Sequence, residues 1–136
     1  MSVIVDTSVW SLALRRRIPP DTSPAVRLLR NLITDDQVVL IGAIRQEILS
    51  GIRSSQQFTR LRNYLQAFPD LELLPDDYEL AAEFFNICRS HGIQGSNTDF
   101  LICAVAHRRS YSILTTDKDF QEFQAHIPVI LSTVED

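Results

Sequence analysis

The sequence predicts an α/β domain in which helices enclose a short, mostly parallel sheet of four to five strands. Three observations predict it. Short apolar runs at Ser2–Val5, Val38–Ile41 and Ser112–Thr115 alternate with longer stretches whose apolar residues recur at helical spacing. The run at Val38–Ile41 is continuous, as in a strand buried on both faces of a parallel sheet. The first and last of these runs end at acids, Asp6 and Asp117, and the carboxyl ends of parallel strands are where open α/β sheets place their ligands. The 136 residues suffice for one domain, 1–136, with a proper core, and no repeat, linker or low-complexity segment divides them.

Taken in order, the strand Ser2–Val5 leads through Asp6 to Thr7-Ser8, which can cap a helix from Val9 to about Arg17 before Ile18-Pro19-Pro20 breaks it. Ser23 as N-cap with Pro24 at the first helical position opens the next helix, to about Ile33, with Val26, Leu29, Leu32 and Ile33 on its apolar side. Asp35-Asp36 turns the chain into Val38–Ile41. A helix from Ala43 to about Ser50 follows, with Gly51 as its stop. Ser54–Phe68 reads as a helix, and Leu71–Leu74 as a short edge strand. Asp76 with Glu79 three residues on resembles a capping box, opening a helix to about His91 that Gly92 ends. Thr98-Asp99 stand at the start of the next helix. Its run Phe100–Ala106 holds no charge, so most of its circumference is expected to be buried, and Arg108-Arg109 lie at the negative end of its dipole. Phe120–Gln124 is a short helix and Pro128–Leu131 a last edge strand.

Composition narrows the function. A net charge of −4 excludes a uniformly basic nucleic-acid-binding surface but not a local patch. Lys118 is the only lysine, so the remaining cations are arginines, which suit bidentate contact with phosphate. Cys88 and Cys103 fall among apolar residues and read as buried free thiols; no Cys-x-x-Cys or His-x-x-x-His is present. His91, His107 and His126 fall at helix ends or in loops, and no Walker loop occurs. With no signal peptide and no membrane-length apolar run, a soluble cytoplasmic protein is expected.

The carboxylates carry the functional reading. Asp6 and Asp117 follow strands and Asp99 opens a helix that feeds one. Glu47, on the helix after Val38–Ile41, belongs by spacing to the Ile44–Ile48 stripe, where a carboxylate needs a partner. Each acid alone reads as a turn residue, a cap or half of a surface ion pair with Arg45 or Arg53. Gathered at one sheet edge they would repel: a like-charge pair at about 4 Å costs on the order of 4 kcal/mol at an effective dielectric of 20. A divalent ion relieves that repulsion, and all-oxygen ligands favour Mg²⁺, with Mn²⁺ as substitute, over Zn²⁺. Such an ion suits phosphate chemistry.

With these residues in place, the chain resembles the PIN-domain ribonucleases of the VapC toxin type. The resemblance rests on VIVDTSVW, IRQEILSG and NTDFLICAVAHRRSYSILTTDKDF and covers essentially the whole chain. It implies a three-layer α/β/α sandwich and Mg²⁺-dependent RNA cleavage, in which a metal-activated water attacks in line and leaves a 5′-phosphate and a 3′-hydroxyl. It also implies a homodimer inhibited by a small cognate antitoxin. Position by position, Asp6, Glu47, Asp99 and Asp117 match the family's four acids, and Asp119 an additional one. Asp6 and Asp99 would be the principal metal ligands. Thr7 and Thr115 match hydroxyl residues beside the first and fourth acids, in supporting roles. Arg15, Arg16 and Arg17 are expected to guide RNA or the antitoxin, with Arg45, Arg53, Arg108 and Arg109 as further candidates.

Two alternatives remain at this point. A haloacid-dehalogenase-like phosphatase also starts strand–Asp and uses Mg²⁺, but wants a second Asp where this chain has Ser8. A catalytically silent module of the same fold would bind without cleaving, although all four acids are present.

Overall fold

The structure, a computed structural model, describes residues 1–14 and 23–132. Among them the elements run β1 (Val3–Val5), α1 (Thr7–Leu14), α2 (Pro24–Thr34), β2 (Val38–Val39), α3 (Gly42–Leu49), α4 (Ser55–Leu65), α5 (Pro75–Ser90), α6 (Asn97–Arg109), β3 (Ser112–Leu114) and α7 (Asp119–Gln124). The strands form a parallel sheet in the order β2-β1-β3, with Ile4 opposite Val39 on one side and Ile113 on the other. The expected edge strands contract to single parallel bridges, Leu40 with Asp70 and Ile113 with Leu131. Five backbone segments therefore lie side by side, but only three qualify as strands.

The sheet order places the site. From β1 the chain crosses through two helices to β2, and only much later returns to the opposite side of β1 as β3. The winding reverses at β1, so a crevice opens at the carboxyl ends of β1 and β3. Val3, Ile4 and Val5 point alternately to the two faces, and all three are buried. Both faces must therefore be covered by helices, which gives three layers. Helix α6 packs on β1 and β3 with α5 against it, while α1 packs on α2 and α3, and α2 lies on β2.

Helix α6 is buried from Phe100 through Ala106, all around its circumference, as its uncharged run predicts. Helix α5 buries Asp77, Ala81, Phe84 and Cys88, a single stripe at helical spacing, against it. Ser23 caps α2 with Pro24 behind it, and Gly51 and Gly92 take the left-handed conformation (φ +82° and +77°) that stops α3 and α5. Cys88 and Cys103 are buried free thiols, and burial pushes both above the ordinary cysteine range. No helix among the described residues is long and apolar enough to cross a membrane.

Two sequence expectations are corrected where α5 meets α6. Helix α5 starts at Pro75, and its capping carboxylate is Asp77, whose Oδ2 accepts from the Leu74 N–H at 2.8 Å; Asp76 and Glu79 do not form the box. Arg108 and Arg109 are not free to guide RNA. Both donate to Asp77 Oδ1 at 2.7 Å, and Arg109 also donates to Oδ2 at 3.0 Å. The Asp77 side chain is fully buried while the arginines keep 28% and 18% exposure, so the cluster ties the C-terminus of α6 to the N-terminus of α5. Arg45 is likewise committed, to Asp70 and to the Leu65 and Phe68 carbonyls.

The guanidinium of Arg109 holds the Asp77 carboxyl far below the usual carboxylate range. A depressed folded-state pKa adds stability that is complete above about pH 4 and fades as pH falls below it, when the unfolded state takes up the proton first. Asp77→Asn should cost about 2–4 kcal/mol at pH 7, the lower figure reflecting arginines that can return to water. Denaturant melts at pH 7 and pH 3 check this, the gap between wild type and variant narrowing in acid.

Candidate active site

The site is assembled from the edge of β1 outward. Asp6 continues the ladder, its N–H donating to the Leu114 carbonyl at 2.8 Å, and its own carbonyl starts α1 by accepting from Val9. Asp6 is 5% exposed, and its Oδ2 accepts from two hydroxyls, Ser8 and Thr115, each at 2.8 Å. Those hydroxyls are themselves anchored: the Thr116 N–H donates to Ser8 Oγ, and the Asp117 N–H to Thr115 Oγ1. Asp117 Oδ1 in turn accepts from the Asp119 N–H at 2.9 Å. A continuous chain of hydrogen bonds thus joins the ends of β1 and β3 and fixes two acids relative to each other.

Asp99 arrives from α6. Ser96, not Thr98, is the N-cap: its Oγ accepts from the Asp99 N–H at 3.0 Å, and Asp99 Oδ2 accepts from the Ser96 N–H at 3.1 Å. This capping box occupies one carboxylate oxygen and leaves the other turned from the cap. Glu47 comes from α3, which Ile44 and Ile48 anchor in the core. Glu47 itself lies beside that stripe and is exposed, which corrects the expectation that it shares the buried face. Its partner is Thr7, donating to Oε1 at 2.6 Å. The two threonines thus serve acids other than their sequence neighbours: Thr7 holds Glu47, and Thr115 holds Asp6.

Asp6, Glu47, Asp99 and Asp117 line one open cavity of about 520 Å³, with Thr7, Ser8, Gln46, Ser50 and Thr98 among the other lining residues. No arginine or lysine lines it among the described residues. Burial raises the Asp99 pKa, and the charges of Asp6 and Asp117 add to the shift against the opposing Ser96 hydrogen bonds. Asp119 contributes its backbone N–H; its carboxylate does not line the cavity. Ser8, which sequence reading treated as a cap, is a support of Asp6, and the only signal for it was the run of hydroxyl residues after Asp6. Arg15, Arg16 and Arg17 lie outside the described residues.

Fold and pocket together define the class: a parallel α/β domain with an acidic pocket at the carboxyl ends of its strands. A PIN-domain profile matches residues 3–125, so the chain belongs to the PIN-domain family, whose members are generally nucleases. No curated protein matches it. Among solved structures it is similar to FitAcB from Neisseria gonorrhoeae, at 21% identity and TM-score 0.74 over 96% of each chain. It is also similar to VapBC2 from Rickettsia felis bound to a promoter DNA fragment, at 14% identity and TM-score 0.76 over 97% of this chain and 98% of that one. VapBC-5 from Mycobacterium tuberculosis, of a toxin–antitoxin family, matches at 19% identity and TM-score 0.65 over 97% and 100%. At these identities the likeness is one of fold.

The donor set fits a hard divalent cation. All the charged groups are carboxylates, and no described residue hydrogen-bonds to Oδ1 of Asp6, Oδ1 of Asp99 or Oε2 of Glu47. Among the described residues, no three acidic, histidine or cysteine side chains stand close enough together to hold a metal ion by themselves. A donor set made only of carboxylates and hydroxyls suits a hard divalent cation such as Mg²⁺, held through one or two carboxylates and its own waters, better than Zn²⁺.

Burial of the Asp99 carboxylate, with the Asp6 and Asp117 charges adding to it, changes stability with pH. A carboxyl whose folded pKa is raised destabilises the fold once it ionises, so the penalty is absent in acid and complete above its folded pKa. Asp99→Asn keeps an oxygen for the Ser96 N–H and removes the charge. Its thermal midpoint in chelator should exceed that of wild type at pH 7, and the difference should vanish near pH 3. Paired thermal melts across that range provide the check.

Proposed function

We propose that this protein is a Mg²⁺-dependent endoribonuclease, with Mn²⁺ as substitute, and the toxin of a toxin–antitoxin pair. The observation that carries the reading is the meeting of Asp6, Glu47, Asp99 and Asp117, from four separate parts of the chain, around one cavity free of cations among the described residues. Asp6 and Asp99 would hold the ion, and Glu47 and Asp117 would complete the pocket directly or through water. The ion, when bound, supplies positive charge to the phosphoryl oxygens and makes a water easier to deprotonate.

The chain's own residues position the reaction. Ser8 and Thr115 fix Oδ2 of Asp6, which orients the whole carboxylate. Thr7 does the same for Glu47 from the first turn of α1, and the cap box does so for Asp99. The free oxygens can then accept hydrogen bonds from water poised opposite a scissile phosphodiester. Water attack on phosphorus leaves a 5′-phosphate and a 3′-hydroxyl. Ser8 also weighs against the phosphatase alternative, because its hydroxyl supports Asp6 where that chemistry wants an acid.

Support for the toxin role is the fold shared with VapBC-5 from a toxin–antitoxin family. An acidic cavity with unengaged carboxylate oxygens also suits a small antitoxin that inserts a basic side chain. A homodimer, as the family resemblance implies, belongs to the same proposal.

Purified protein should cleave single-stranded RNA with Mg²⁺ and lose cleavage in chelator. Asp99→Asn should lower the rate by more than about 100-fold, and Thr115→Val, which removes only a support of Asp6, by about 10–100-fold. RNA cleavage that survives both chelation and Asp99→Asn would overturn the metal–carboxylate reading.

A further inference from the structure

A second cavity, of about 390 Å³, abuts the acidic one, and Asp117 lines both. Its other walls include Thr115, Thr116, Lys118, Gln121 and Ser132, at the carboxyl end of β3. Lys118 is the only lysine of the chain and, among the described residues, the only cation lining either cavity. Although Asp117 and Asp119 flank it in sequence, Lys118 makes no ion pair with them or with any other described residue. The arginines that sequence reading offered as guides and that the structure describes as paired, Arg45, Arg108 and Arg109, are committed to Asp70 and Asp77. Thr116 Oγ1 and the Gln121 amide add two donors with no hydrogen-bond partner among the described residues.

We propose that this cavity binds a backbone phosphate of the RNA next to the one being cut, with Lys118 as its cationic contact and Thr116 and Gln121 as further donors. The inference rests on the nuclease reading for its substrate. A nucleic acid entering a pocket of four carboxylates meets repulsion, and a strand must be held on either side of the scissile bond to stay in place. A compact ammonium on a flexible stem can hold a phosphate without the fixed fork of arginine. Sharing Asp117 puts this contact directly beside the acidic cavity, where it offsets the repulsion and sets the register of the strand. Lys118 is then a positioning residue and takes no part in bond cleavage.

The test measures binding and cleavage separately. Binding of a fluorescein-labelled single-stranded RNA 12-mer of mixed sequence is followed by anisotropy in chelator, in the Asp99→Asn background. Adding Lys118→Gln should weaken binding roughly 5-fold near 100 mM salt, as loss of one charge-assisted contact does. The slope of log K against log salt should become shallower by about 0.7, one single-strand phosphate contact. Lys118→Arg should restore most of both. In the otherwise wild-type chain with Mg²⁺, Lys118→Gln should raise KM by a similar factor while kcat stays within about twofold. Unchanged affinity and slope in Lys118→Gln would overturn the proposal, as would an equal loss in Lys118→Arg. A wild-type chain that binds RNA through Lys118 but does not cleave it would retain this site and defeat the nuclease reading instead.

Discussion

The constraint on which the structure depends is the holding together of mutually repelling carboxylates at one sheet edge. Among the described residues, hydroxyls and backbone amides do this, not cations. Asp6 Oδ2 takes two hydroxyl donors, Glu47 one, Asp117 a backbone N–H, and Asp99 a backbone N–H through its capping box. A guanidinium in the same place would be a stronger partner, but it would occupy the unbonded carboxylate oxygens and neutralise the pocket. Neutral donors orient a carboxylate while leaving its charge available. The raised pKa of Asp99 comes first from its burial and then from the uncancelled charges of Asp6 and Asp117.

Three of the described arginines, Arg45, Arg108 and Arg109, serve architecture away from the pocket. Asp77 has no exposed side-chain surface, yet it is held ionised by Arg108 and Arg109 on the helix that carries Asp99 at its other end. Helix α6 is therefore pinned at both termini: by the Ser96–Asp99 box at the pocket and by the Asp77 cluster at the far side. Between them its buried run packs on β1 and β3. Rigidity at the far end matters at the near end, because a shift of α6 along its axis would move Asp99 relative to Asp6. Breaking a buried, hydrogen-bonded ion cluster is costly enough to resist such a shift.

What the sequence made legible follows from how local each signal is. Strand β1, the cap of α2, the stop of α5 and the all-round burial of α6 depend on residues within one or two turns, and each is read directly from Val3–Val5, Ser23-Pro24, Gly92 and Phe100–Ala106. Pairings across the fold were not legible. Which hydroxyl meets which acid depends on the register of β1 against β3: Val5 lies opposite Leu114, which brings the next pair, Asp6 and Thr115, together. Asp77 was hidden for a similar reason. Three acids stand near the start of α5, and the buried one is selected by the face that meets α6, not by any local rule. Glu47 looked buried by spacing but lies just off the stripe that Ile44 and Ile48 define, since a turn of 100° per residue separates adjacent positions.

The same register explains why the two cavities adjoin. Beyond Leu114 the chain has one residue, Thr115, committed to Asp6, and then turns through Thr116 to Asp117. Asp117 Oδ1 accepts from the N–H of Asp119, which makes a tight turn with Lys118 at its apex. The turn that aims Asp117 into the acidic cavity therefore necessarily presents Lys118 beside it. A longer connection would separate acid from cation, and a strand continuing through Thr116 would send them to opposite faces of the sheet. Acid and cation stand side by side because one short turn positions both.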